Sequence, residues 1–191
     1  MASVPPAGAP ALPALPATIA ETPRLRLRTA TLDDAPFYLG LLNDPDFIAH
    51  IADRHVRTLD EARRALAEGP IAMQQALGHA MYVVELKSGA TPIGMSGLIK
   101  REALPEVDIG YAFLAAHRGQ GYAYEAACAV LRHAHERGIA RIMAITSLDN
   151  APSMRLLEKC GLRFQGVQTI APYTSASNVY QGELPLPRPG T

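Results

Sequence analysis

The 191-residue chain is 48% hydrophobic and 19% charged, which is enough apolar content for one packed domain and too much for wholesale disorder. Eighteen basic residues balance eighteen acidic ones, so no overall field would draw in nucleic acid or an anionic membrane. Two cysteines, Cys128 and Cys160, make neither a disulfide framework nor a metal knuckle, and no apolar run approaches the roughly 20 residues of a bilayer span; a soluble cytoplasmic protein without a metal is the expectation.

Six of the 16 prolines fall in the first 23 residues, in an Ala/Pro-rich lead with no basic start. Residues 1–20 therefore read as a flexible or polyproline-like tail rather than a secretory signal, the rival reading being an ordered arm packed on the body. Arg24-Leu25-Arg26-Leu27-Arg28 has the two-residue period of a strand with one wet face. Thr31 to Asp34 is a capping signal before an apolar helix that runs to about Leu42. Thr58-Leu59-Asp60-Glu61 is a capping box, and its helix is expected to end near Gly69-Pro70. Three β-like stretches follow, Ala80 to Glu85, Ile93 to Ile99 and Val107 to Leu114, the first two joined by the turn Lys87-Ser88-Gly89. From Tyr122 to Arg137 the apolar positions Ala123, Ala126, Ala127, Val130, Leu131 and Ala134 keep the spacing of a one-sided helix, with Gly138 placed to end it. Arg141 to Thr146 reads as a strand, Pro152 to Lys159 as a helix closed by Gly161, and Phe164 to Gln168 and Val179 to Leu184 as late strands. The pattern is one mixed α/β domain over residues 21–184, whose sheet starts antiparallel and gains a strand–helix–strand crossover in its second half. Residues 185–191 read as a short Pro-rich C-terminal tail.

The stretch that carries chemistry is Arg118-Gly119-Gln120-Gly121-Tyr122-Ala123, between a strand and an amphipathic helix. Two glycines let backbone approach a ligand, the helix start offers unpaired amides to an anion, and Arg118 adds a positive charge. The loop is not a dinucleotide fingerprint, since Tyr124 stands where a third glycine is needed, and no Gly-Lys-Ser/Thr of a P-loop follows.

The loop resembles the Arg/Gln-x-x-Gly-x-Gly/Ala signature of the Gcn5-related N-acetyltransferases. The resemblance continues through Tyr122-Ala123-Tyr124-Glu125-Ala126, through Asp108-Ile109-Gly110-Tyr111, and through the run from Asn150 to Leu162; Thr22 to Arg28 is similar to the opening of the ribosomal-protein (RimJ/RimL-type) branch. It implies an acyl-CoA acyltransferase fold, a mostly antiparallel central sheet flanked by helices, with acetyl-CoA as co-substrate. It further implies that the strand before the loop is bulged and splays from its neighbour, and that the pantetheine arm pairs with backbone at Phe113, Leu114 and Ala115. Pyrophosphate binding is carried onto Arg118, Gly119, Gln120, Gly121, Tyr122 and Ala123, and pantetheine contact onto Asn150, which also reads as a helix N-cap before Pro152.

Acetyl transfer needs a neutral amine and a proton for the leaving thiolate. The tyrosine that many family members use for the second task is replaced here by Leu157. Ser153 stands where the branch also has serine and is a candidate donor, with Tyr173 as its rival; capping of the first helical turn is the plainer role of Ser153. Asp108 occupies the branch's usual Glu position and is the candidate base, with Glu106 and water as alternatives, although Asp is shorter and a solvated strand charge explains it more simply. Gln165 also replaces a frequent family Glu. His133 and His135 lie two apart on a helix and cannot make an i, i+4 metal pair, and His117 adjoins the cofactor loop. Cys128 and Cys160 read as small core residues.

The leading function is transfer of acetyl from acetyl-CoA to a primary amine, a small molecule or a protein N-terminus, in a ternary complex, by a monomer or homodimer. The alternatives are an acyl-CoA-binding sensor without turnover and a transferase for a different acyl-CoA. The acceptor pocket is expected from Asn43 to His55 and Thr169 to Asn178, segments with no diagnostic charge cluster.

Overall fold

The computed structural model describes residues 16–186; residues 1–15 of the Ala/Pro-rich lead and residues 187–191 of the Pro-rich end lie outside the described residues. The described strands are β1 (Thr18–Glu21), β2 (Leu25–Arg28), β3 (Met81–Leu86), β4 (Thr91–Ile99), β5 (Asp108–Phe113), β6 (Arg141–Ser147), β7 (Arg163–Thr169) and β8 (Ala176–Glu183). They form one sheet in the order β1-β2-β3-β4-β5-β6-β8-β7. All neighbours pair antiparallel except β5 and β6, which run parallel and are joined by helix α5 (Tyr122–Glu136). The mixed α/β class and the late crossover are therefore as the sequence implies.

Leu25 and Leu27 are fully buried, as the alternation of β2 requires. The opposite face of β2 is not simply wet. Glu85 is 2% exposed on β3 and takes ion pairs from both Arg26 and Arg28, while Arg28 also holds Asp34 at 2.7 Å. Asp34 accepts in turn from the Thr31 amide at 2.8 Å, the capping box ahead of α1 (Ala35–Leu42). The short helix α2 (Pro45–His50) has Asp44 as its N-cap and Pro45 in its first turn.

Thr58 caps α3 (Leu59–Leu66) through a capping box. The helix does not stop at Gly69-Pro70: residues Ala67–Ile71 form a π turn, and α4 (Ala72–Leu77) carries on to Gly78, whose φ of 71° ends it. The wider π turn accommodates a proline, which has no N–H to give and would clash in an α ladder. The sheet also starts earlier than the boundary read at residue 21. Thr18, Ala20 and Glu21 pair with Arg28, Leu27 and Arg26, and Ile19 and Ala20 pack on the core, so the lead is drawn into the sheet before the body begins.

The core has two faces. Helices α1 to α3 lie over Val83 and Met95, with Ala112 of β5 packed alongside. The other face carries α5 and α6 (Ala151–Lys159) over Leu25, Leu27, Tyr82, Leu98, Ala144 and Tyr180. The helix α5 buries Ala126, Ala127, Val130, Leu131 and Ala134, small enough for close approach to the sheet. Cys160 is buried in this core with Cys128 packed against it. No helix among the described residues is long and apolar enough to cross a membrane.

Candidate active site

After β5 the chain makes a single 3-10 turn at Ala115–His117 and reaches the loop ahead of α5. Gly119 and Gly121 have φ values of 72° and 82°, conformations that side chains rarely adopt. The hydrogen-bond ladder of α5 begins with the Glu125 amide donating to the Gly121 carbonyl at 3.1 Å, so the amides of Tyr122, Ala123 and Tyr124 face outward. Together with the helix dipole they make a cradle for an anion.

Two arginines frame the cradle, and they differ. Arg118 has its donors engaged within the protein: Nε with the Phe113 carbonyl at 2.8 Å, Nη2 with Asp44 at 2.5 Å, and Nη1 with Asp46. Burial alone would raise the Asp44 carboxyl, but Arg118 and the amides of Asp46 and Phe47 hold it below its ordinary range. Arg118 thus braces the loop against the start of α2. Arg24 lies 4.4 Å over the Tyr122 ring and donates to the Gln120 carbonyl at 3.0 Å. Glu125 fixes it through Nε at 2.6 Å, and also accepts from Thr22 Oγ1 at 2.6 Å. A Cβ at Gly121 would sit 3.4 Å from Arg24 Nη2, so this guanidinium borders the cradle directly. Sequence reading gave Arg24 no role, because its partner lies 101 residues away.

The strands β5 and β6 share one ladder position, Asp108 with Met143, and part beyond it. The splay is present, but β5 keeps unbroken register with β4 from Asp108 to Phe113 and carries no bulge there. The Leu114 amide donates to Ile93 on the β4 side. By ladder alternation, Tyr111 and Phe113 turn their backbone groups into the gap. The carbonyls of Leu114 and Ala115 accept from the amides of His117 and Arg118. The Phe113 carbonyl likewise accepts from Arg118 Nε, so the edge available to an added strand is the backbone of Tyr111 with the Phe113 amide, upstream of the expected Phe113-Leu114-Ala115.

Across the gap, Asn150 caps α6 by accepting from the Ser153 amide at 3.1 Å. Ser153 Oγ lies 2.8 Å from the Tyr111 hydroxyl. Burial pushes the Tyr111 phenol well above its ordinary range, so it stays protonated and able to donate. Leu157 is 2% exposed and belongs to the core.

At the apex of the splay Asp108 is 1% exposed, which replaces the solvated strand charge expected of it. Arg101 Nε stands 3.1 Å from both its oxygens, and Arg101 Nη1 donates to the Tyr173 hydroxyl at 3.0 Å. Burial raises the Asp108 carboxyl against the pull of Arg101. Glu106 precedes the strand and pairs with Arg141 at 2.7 Å, so it does not share the site of Asp108. Tyr173 is brought to Arg101 and is separated in its contacts from Ser153.

A cleft of about 990 Å³ joins these parts, running from Arg118, Gly119 and Gly121 past Tyr111 and Ser153 to Asp108 and Tyr173. Both segments expected to hold the acceptor reach it, through Phe47, His50 and Arg54 on one side and Tyr173, Ser175 and Ser177 on the other. Gln120 and Ala115 lie on the loop outside its lining.

A family model described as "Acetyltransferase (GNAT) domain" matches residues 24–163. YkkB, an uncharacterised protein of Bacillus subtilis (strain 168), is 29% identical over 166 residues, 84% of this chain and 92% of its own. The acetyltransferase of Agrobacterium tumefaciens str. C58 superposes with a TM-score of 0.71 at 24% identity, covering 92% of this chain and 99% of its own. RimL, a ribosomal L7/L12 alpha-N-protein acetyltransferase solved in complex with coenzyme A, gives a TM-score of 0.75 at 20% identity over 87% of this chain and 98% of its own.

Proposed function

The chain belongs to the GNAT acetyltransferase family, and from that premise we propose that it moves the acetyl group of acetyl-CoA to a primary amine by direct attack in a ternary complex. The observation that carries the reading is the alignment of three features along one cleft: outward amides at the start of α5, an open backbone edge on β5, and a hydroxyl pair at the end of that edge.

In this reading the amides of Tyr122, Ala123 and Tyr124 and the backbone at Gly119 to Gly121 receive the pyrophosphate, with Arg24 as the flanking charge and Arg118 holding the loop in shape. The backbone of Tyr111 and the Phe113 amide pair with the pantetheine arm as an added strand would. Asn150 fixes the first turn of α6 and with it Ser153. Ser153 Oγ gives the leaving thiolate its proton and is resupplied through the Tyr111 hydroxyl, which fills the task that Leu157 cannot perform. Asp108, bound by Arg101, orders Arg101 and Tyr173 at the acceptor end of the cleft.

The acceptor is a primary amine, and protein N-termini are one class to test, because RimL is a ribosomal alpha-N-protein acetyltransferase of the same fold. The test is release of free CoA thiol from acetyl-CoA against a panel of N-terminal peptides, amino acids and small amines, with products weighed by mass spectrometry. Amine-dependent release supports the transferase; binding of acetyl-CoA without release from any amine supports the sensor. Thermal shifts with different acyl chains rank the donors, since a ligand at about 100 times its dissociation constant stabilises by about 2.7 kcal/mol.

A further inference from the structure

Asp108 has both oxygens facing Arg101, and Glu106 is paired with Arg141. Each carboxylate is thus held by an arginine, whose positive charge opposes an incoming ammonium. His50 is held instead by a hydroxyl and a carboxylate. It ends α2 and lines the cleft on the face of the sheet that carries α1 to α3. Its Nδ1 lies 3.1 Å from Ser147 Oγ and 3.4 Å from Asp149 Oδ1. Ser147 closes β6, the strand that forms the far wall of the splay, so His50 is tied to the rim of the gap.

We infer that His50 is the general base that deprotonates the acceptor amine. Asp149 is ionised near neutrality, its hydrogen bonds with Ser147 and His50 holding it below the ordinary carboxylate range. Ser147 spends its hydroxyl proton on Asp149 in this arrangement, so the proton of the neutral imidazole is assigned to Nδ1, facing the Ser147 oxygen, and its lone pair to Nε2. This is not a nucleophilic triad, because Ser147 and Asp149 both face Nδ1. Asp46 lies one turn earlier on the same helix and is paired with Arg118, and Arg54 and Arg155 line the same cleft. His117, also along the cleft, sits beside the cofactor loop instead.

The inference rests on the transferase reading and completes its proton balance. Nε2 takes one proton from the ammonium and frees the lone pair that forms the N–C bond to the acetyl carbon as the C–S bond breaks. The second proton leaves the nitrogen of the tetrahedral intermediate for cleft water, which returns one through Tyr111 to Ser153 after Ser153 has protonated the thiolate, so these two transfers cancel. The imidazolium returns its proton to water, so one proton is released per turnover.

The test has two arms. Nitrogen NMR on the full chain, with the His50 signal assigned from its loss in His50→Gln, should find the neutral ring protonated on Nδ1; a proton on Nε2 would overturn the base whatever the acceptor. In kinetics, His50→Gln should lower acceptor kcat/KM by about 10²-fold or more at neutral pH, the size of general-base catalysis, with acetyl-CoA affinity unchanged. The deficit should shrink as pH rises and the amine arrives neutral, whereas a structural role would give a uniform loss. A loss under threefold, or one that is flat with pH, would sink the base and leave the transferase standing. Wild-type protein that binds acetyl-CoA and turns over no amine would sink both.

Discussion

Replacing Arg118 by Ala separates two roles for this side chain: a brace between the cofactor loop and α2, or a direct ligand of phosphate. The substitution removes donors to Phe113, Asp44 and Asp46. Asp44 is 8% exposed, and losing a charge-assisted hydrogen bond to such a group costs about 1.5–3 kcal/mol. The Asp46 side chain is 63% exposed and its pair contributes about 0–1 kcal/mol after screening. Arg118 is itself a third exposed, which argues for the lower half of the combined range, about 1.5–2.8 kcal/mol. For a chain of this size that is a fall of roughly 3–11 °C in Tm. The pH dependence has a defined sign. The folded Asp44 carboxyl lies below its ordinary value, so its contribution is complete above the unfolded value of about 3.9 and is lost as pH falls through the folded one. Wild type and Arg118→Ala should therefore differ most near neutrality and converge in acid. Differential scanning calorimetry from pH 7 downward measures this, and titration calorimetry with acetyl-CoA measures the cradle. An unchanged Tm with a tenfold or larger loss of acetyl-CoA affinity would refute the brace and return Arg118 to the phosphate.

The remaining expectations are direct. Gly121→Glu places a side chain and a negative charge at a φ of 82° beside the outward amides, and should abolish measurable acetyl-CoA binding by calorimetry in a protein that still folds by circular dichroism. Ser153→Ala should lower turnover by about 10²-fold or more while leaving acetyl-CoA affinity nearly intact, as read by CoA release and calorimetry on the same sample; equal losses in both would make Ser153 a structural cap. Burial would raise Glu125, but Thr22 and Arg24 hold it below its ordinary range, so Glu125→Gln should reduce stability at neutral pH, with the deficit fading as pH falls below about 4.3. The same variant frees Arg24 and should weaken acetyl-CoA several-fold.

The legible parts of this protein were those set by neighbours in sequence. The alternation over Arg24 to Arg28, the capping boxes at Thr31 and Thr58, and the stripe from Ala123 to Ala134 all became the expected elements. The cradle was legible for the same reason, since its glycines and the first turn of α5 are contiguous. The π turn at Pro70 was not, because whether a proline ends a helix or is absorbed depends on the packing around it. Nor was β1, whose pairing with β2 is what makes a strand of an Ala/Pro-rich lead. The helix α2 did carry a local signal, Asp44 followed by Pro45, but six residues are too few to show a stripe. The side chains at the site depended most on distance along the chain. Arg118 meets Asp44 from 74 residues away, and that contact changes its reading from a free cation to a brace. Asp108 and Arg101 are only seven apart, yet the burial that ties them together is set by the sheet.

The sheet also separates the two proton-handling groups proposed here. Along β5, Ile109, Tyr111 and Phe113 pack with the core under α5 and α6, whereas Ala112 packs under α1 to α3. Ser153 lies on α6 and meets Tyr111, which puts the proposed acid on the first face. Along β6, Ile142 and Ala144 share that face, while Met143 and Ile145 turn to the other, the side toward which Ser147 also points by the two-residue period. His50 reaches Ser147 from α2, so the proposed base lies on the second face. An acyl group held edge-on in the gap between β5 and β6 would have a proton donor on one side and a proton acceptor on the other. Because the strands have parted there, the gap is where each can reach the reacting centre. The contact of Arg118 with Asp44 fixes the start of the helix that ends at His50 to the loop that begins α5. The brace that shapes the cofactor cradle thereby also sets the position of the base, and Arg118→Ala should raise the acceptor KM as well as lower stability, measured with the amine found in the panel. A variant that loses stability while its acceptor KM stays unchanged would show that α2 holds its place without the brace.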